Sequence, residues 1–123
     1  MKTKTSELQG SALDWVVAKC LPDDTARIYF DEQTGEKLFL DDWEVPEFSP
    51  STDWAQGGPI IEREWLDVTP WPNESDEDMR WQCKQHDNID CVAFGPTPLI
   101  AAMRCYVASK LGEEVEVPDE MAS

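Results

Sequence analysis

The sequence is poor in histidine, in positive charge and in long apolar runs. Its 123 residues hold one histidine, His86, and ten lysines and arginines against 26 aspartates and glutamates, a formal net charge of −16. No apolar run approaches the roughly 20 residues needed to span a bilayer. Residues 1–5 (MKTKT) lead into an amphipathic stretch rather than a signal-peptide core, so a cytoplasmic location is expected. Binding to nucleic acid is driven by basic surfaces that displace counterions, so direct contact with DNA or RNA is not expected of this chain. No P-loop, Rossmann glycine pattern, H-E-x-x-H pair or EF-hand loop occurs. His86 sits in a polar stretch with no nucleophile in a recognisable setting. The chain therefore reads as non-enzymatic and without a cofactor.

Cysteine is also sparse. The four stand at positions 20, 83, 91 and 105, with no paired C-x-x-C. Cys83, His86 and Cys91 offer three metal ligands and lack an obvious fourth. Reduced thiols in a reducing compartment are the plainer reading, so no metal site is expected.

A length of 123 residues fits one domain, and 41% hydrophobic residues with six tryptophans mark it as globular. The best-punctuated stretch is residues 95–112 (GPTPLIAAMRCYVASKLG). Thr97 is an N-cap residue, Pro98 stands at the first helical position, and Gly112 is a natural stop. Leu99, Ile100, Met103, Val107 and Leu111 share one stripe of this helix. Ala101, Cys105 and Ala108 form a second face that is small and uncharged, so both sides are expected to be covered. Either the N-terminal helix or a second subunit would cover that face, which makes a homo-oligomer a possibility.

Residues 6–9 have the spacing of a capping box ahead of a first helix that ends near Leu21, before Pro22. Residues 26–30 and 37–40 suggest a hairpin around a turn at 31–35, followed by an irregular connector over 43–50. Residues 51–64 suggest a second helix that Gly57-Gly58-Pro59 should break or kink. Residues 65–71 and 79–84 look like two strands joined by an acidic turn at 72–78, and 85–90 like a loop. The expected fold is α+β: three helices packed on a small antiparallel sheet, one domain over residues 1–112. Residues 113–123 form an acidic, loosely held tail.

Three polar features invite a binding role. Residues 95–97 place free backbone N–H groups at a helix N-terminus, a ready anion site. Arg63, Arg80 and Arg104 are scarce cations in an acidic chain, and Arg104 falls within the buried helix, where pairing with a core carboxylate competes with pairing to a ligand. Trp54, Trp65 and Trp81 can stack on a planar group or pack as core. The glycine break at 57–58 can cradle a ligand or allow close helix packing.

Three blocks carry a resemblance: residues 6–15 (SELQGSALDW), 49–64 (SPSTDWAQGGPIIERE) and 95–112. In this order they resemble the NinX-like family, small proteins of tailed phages and prophages named for the nin region of lambda-like genomes. That resemblance implies an infected bacterium as the setting and supplies no activity. Accessory phage proteins of this size commonly counter host defence.

Two functions follow. In the first, the chain sequesters a small anionic, nucleotide-derived ligand, with Trp54, Gln56, Gly57, Gly58, Arg63, Trp81, Gly95, Thr97 and Arg104 as the binding residues. In the second, it is an acidic inhibitor, a nucleic-acid mimic, aimed at a basic host defence enzyme. The first requires the blocks to converge on a concave, locally positive pocket; if they pack as core, the acidic surface carries the function.

Overall fold

In the computed structural model, residues 2–21, 49–71, 77–86 and 88–117 are described. The expected hairpin at 26–40 and most of the 43–50 connector lie outside them.

The best-punctuated stretch forms α3 (Pro98–Leu111). The Thr97 hydroxyl accepts the Ile100 N–H at 3.2 Å, and Gly112 ends the helix at φ 85°. From Ala101 to Val107 every residue is buried. Each large apolar side chain so placed contributes roughly 1.5–3 kcal/mol. A helix apolar nearly all round must be covered on more than one side, and this one is.

One cover is a three-stranded antiparallel sheet of β2 (Leu66–Pro70), β3 (Trp81–Gln85) and β4 (Asn88–Gly95), in the order β2-β3-β4. Val68 pairs with Cys83, and Cys83 with Ala93. The expected loop at 85–90 is therefore shorter than its composition suggests, with β4 beginning at Asn88 after a register shift at Lys84/Gln85. The other cover is α1 (Gly10–Cys20), which contributes Leu13, Trp15, Val16 and Val17 to the same core. Ala101 and Cys105 are wholly buried, and the Cys105 thiol approaches the Cys91 carbonyl of β4 at 3.7 Å. The chain itself thus covers Ala101 and Cys105, while Ala108, the third residue of that face, is half-buried.

Residues 6–9 do not act as a capping box. Thr5–Glu7 is a 3-10 turn, and α1 begins at Gly10 behind Gln9, with no side-chain cap. Leu8 is buried, but from extended backbone at ψ 134°. Its carbonyl is held by Arg104, which fixes the chain outside a helix. At the other end Leu21 turns extended at ψ 144°, as the residue before a proline must.

The tail is held at its start. Strands β1 (Lys2–Lys4) and β5 (Glu114–Glu116) pair antiparallel, with Thr3 opposite Val115. The Thr5 hydroxyl donates to the Gly112 carbonyl at 2.7 Å, and Val115 and Val117 are buried. Alternation explains this correction: in EVEV the acids face water and the valines face in. Residues 118–123 lie outside the described part.

Helix α2 (Trp54–Glu64) runs through the expected break and contains Pro59. Asp53 caps it, accepting the Ala55 N–H at 2.9 Å. It ends at Trp65 in the left-handed region, φ 55° and ψ 51°, where a bulky residue costs roughly 1–2 kcal/mol.

Candidate functional site

The three sequence blocks meet at one joint. Asp14, inside the apolar face of α1, is buried and accepts the Ser51 N–H at 2.9 Å. Gln56 accepts the Ser49 N–H through Oε1 at 2.6 Å, closing the turn ahead of α2. A Cβ on Gly57 would stand 2.5 Å from the Pro50 carbonyl oxygen and 2.6 Å from Leu99 Cδ2. This glycine lets α2 lie against the turn at Pro50 and the first turn of α3. Gly95 plays the same part at the end of β4: a Cβ there would meet the Ala101 nitrogen at 2.7 Å. The glycine break at 57–58 and the start of α3 therefore come together, as a shared site requires. Leu99 fills the contact between them.

Arg104 forms a second joint. Its side chain is 2% exposed, and Nε donates to the Leu8 carbonyl at 2.7 Å. Nη1 donates to the Phe94 carbonyl at 2.9 Å and to Asp78 Oδ2 at 3.1 Å. One guanidinium so fastens the N-terminal segment, β4 and the turn at Asp78 to α3. Arg63 and Trp81 are not part of this cluster. Arg63 is half exposed near the end of α2, with Nε 3.4 Å from Glu64, and Arg80 stands 3.6 Å from Glu77. Trp81 is half-buried against the core, opposite Gly95 in the sheet register. Trp54 is 56% exposed and Trp65 64% exposed.

Beside Arg104 lies an open cavity of about 590 Å³. Arg104 and Lys4 reach it, but so do Glu7, Asp78, Glu113 and Glu114. A lining with more carboxylates than cations suits an anion poorly.

The metal-ligand grouping is pulled apart because His86 lies in the turn after β3. Cys83 faces α3, whereas His86 lies outside, 3.7 Å from Asp67 and with its ring 5.5 Å from that of Trp65. Cys83 and Cys91 instead gather around Cys105. Among the described residues no group of three or more His, Cys, Asp or Glu is arranged to hold a metal ion. Burial pushes the Cys20 thiol up to about 11, and burial with the neighbouring Cys105 does the same for Cys91. Cys105 is raised further, first by its hydrogen bond to Cys83 and then by burial.

These thiols keep their protons in the fold beyond the ordinary value of 9.0, at which the unfolded chain releases them. A folded pKa above the unfolded one gives stability that is complete below about pH 9 and falls toward about pH 11. The urea midpoint is therefore expected to drop over this window, and less steeply in Cys20→Ala. An equal slope in both proteins would contradict the assignment.

The most informative residue missed by sequence reasoning is Asp14. Its signal was present: a carboxylate between Leu13 and Trp15 on an apolar stripe needs a partner if it is buried. Pro50 and the left-handed Trp65 carried no such signal.

The fold and its joints define a class: a small acidic α+β domain whose sequence blocks are packing devices. The chain belongs to the phage family described as Bacteriophage P22, NinX, whose model matches residues 4–110. The match takes in the first two blocks whole and the third as far as Lys110. A comparison with curated proteins found no match. Among the described residues no helix is long and apolar enough to cross a membrane.

Proposed function

We propose that this phage protein is a non-enzymatic interaction module. It works in the cytoplasm of the infected bacterium and presents its acidic surface to a basic host protein, with defence enzymes the first class of target. One observation carries this reading: the residues a small-anion site would need are already engaged in packing. Arg104 is committed to two carbonyls and Asp78, Gly57 is filled by Pro50 and Leu99, and Gln56 closes its own turn. The chain carries a net charge of −16 and exposes tryptophans. A surface of this sign steers cationic partners and repels nucleic acid.

Two measurements separate this reading from ligand sequestration. In a thermal-shift screen with nucleotides and cyclic nucleotides, no compound is expected to raise Tm. Affinity capture from host lysate at low salt is expected to retain basic proteins that elute as salt rises past the screening range. A reproducible Tm increase with one anionic metabolite, together with no salt-sensitive protein partner, would overturn it.

A further inference from the structure

On α2 the buried and exposed sides meet along half-buried Gly58 and Ile61, the latter packed against the core. Gly57 and Ile60 face the core, while Trp54, Ala55, Pro59, Glu62 and Arg63 are exposed. At about 100° per residue, Trp54, Gly58 and Trp65 fall on one line, because 11 residues make three turns. Glu62 stands beside it. The two indoles are 56% and 64% exposed and lie roughly 16 Å apart along the axis.

Three features of this face work against stability, although the left-handed Trp65 also joins α2 to the sheet, its carbonyl accepting the His86 N–H at 3.0 Å. Pro59 cannot donate a hydrogen bond, so it leaves the carbonyl of exposed Ala55 without its donor four residues on. A Cβ on Gly58 would meet no described atom within 4 Å, so this glycine is not a packing device like Gly57. Trp65 holds a left-handed conformation that glycine or asparagine adopts more readily. A bare stretch of backbone and two outward aromatics are what a docked cationic side chain uses: room to approach and ring faces to stack on.

The surrounding charge fits the same occupant. Asp53, Glu62 and Asp67 flank the line, and the cations at its end, Arg63 and Lys110, lie 3.4 and 3.3 Å from Glu64. We infer that the outer face of α2, from Trp54 to Trp65, docks an arginine-bearing segment of the basic partner. This rests on the interaction-module reading above and names its contact surface. Guanidinium groups stack on Trp54 and Trp65, one of them bonding Glu62.

The test uses the full chain in infected cells, with a photo-cross-linking phenylalanine at position 54, 65 or 71. Trp71 is exposed but lies on the sheet side, against Phe94. Positions 54 and 65 are expected to cross-link the same host protein, through a peptide rich in arginine, and position 71 not to. Glu62→Lys should abolish both adducts. Trp65→Asn keeps the left-handed cap, so it should lose binding while Tm stays within a few degrees of the parent.

Adducts from position 71 alone, a peptide without basic residues, or a second copy of this chain as the adduct would overturn the inference. The first of these leaves the acidic-module reading standing. Absence of any host adduct from all three positions, with salt-sensitive capture also absent, overturns both.

Discussion

Arg104→Leu is expected to lower stability by about 3–5 kcal/mol, a drop of roughly 10–20 °C in Tm. Leucine keeps the apolar contacts of the side-chain stem and removes every donor. The Leu8 and Phe94 carbonyls, held at 2.7 and 2.9 Å, would then be left without their partner beside the core. Each stranded buried acceptor costs about 1–3 kcal/mol. Asp78 is half exposed and loses less, because water replaces the guanidinium. Arg104→Lys should recover only part of the loss, since a single ammonium cannot span three acceptors set on separate segments. Against a total stability of about 5–15 kcal/mol, the leucine variant stands near the edge of folding. Were Arg104 kept for a ligand, its removal would leave thermal or urea unfolding of the free protein unchanged.

Gly57→Leu is expected to cost about 3 kcal/mol or more, while Gly58→Ala next to it stays near neutral. A side chain at 57 meets the Pro50 carbonyl at 2.5 Å, and that turn is anchored one residue on by the bond from Ser51 to buried Asp14. Leu99, on the other side, is 3% exposed and has little room to rotate away. Overpacking of this kind costs about 1–3 kcal/mol even where the core can adjust, and here backbone must move. At 58 the roughly 1 kcal/mol gain in helix propensity is offset by the crowding of a Cβ against the following proline. Urea denaturation of the two variants checks both signs. Equal losses at 57 and 58 would show that α2 does not pack as described.

The sequence made α3 readable because its ends and its faces are local facts. Thr97, Pro98 and Gly112 punctuate it, and the lone charge within a run of apolar residues announces burial on both sides. The α+β class and the strands near 66–70 and 81–85 were legible for the same reason. The joints were not, because they depend on distant partners. Arg104 could be read as buried, but its acceptors lie 96, 26 and 10 residues away. Gly57 and Gly58 look alike in sequence, yet a Cβ at one would clash and at the other would meet no described atom within 4 Å. Residues 6–9 satisfy a capping pattern that Arg104 overrides by holding Leu8 extended. Of the nine candidate residues, Gln56, Gly57, Gly95, Thr97 and Arg104 make their close contacts within the chain.

A core built from all three sequence blocks makes a sharp demand on one amide. The Ser51 N–H sits in a turn between elements, where exchange with solvent is ordinarily fast, but it is buried and bonded to Asp14 of α1. Native-state hydrogen exchange should therefore place Ser51 with Met103, at the centre of α3, so that both open only when the whole domain unfolds. Equal free energies of exchange for the two amides are the expected result. If Ser51 exchanges at loop rates while Met103 stays protected, the second block is not part of the core.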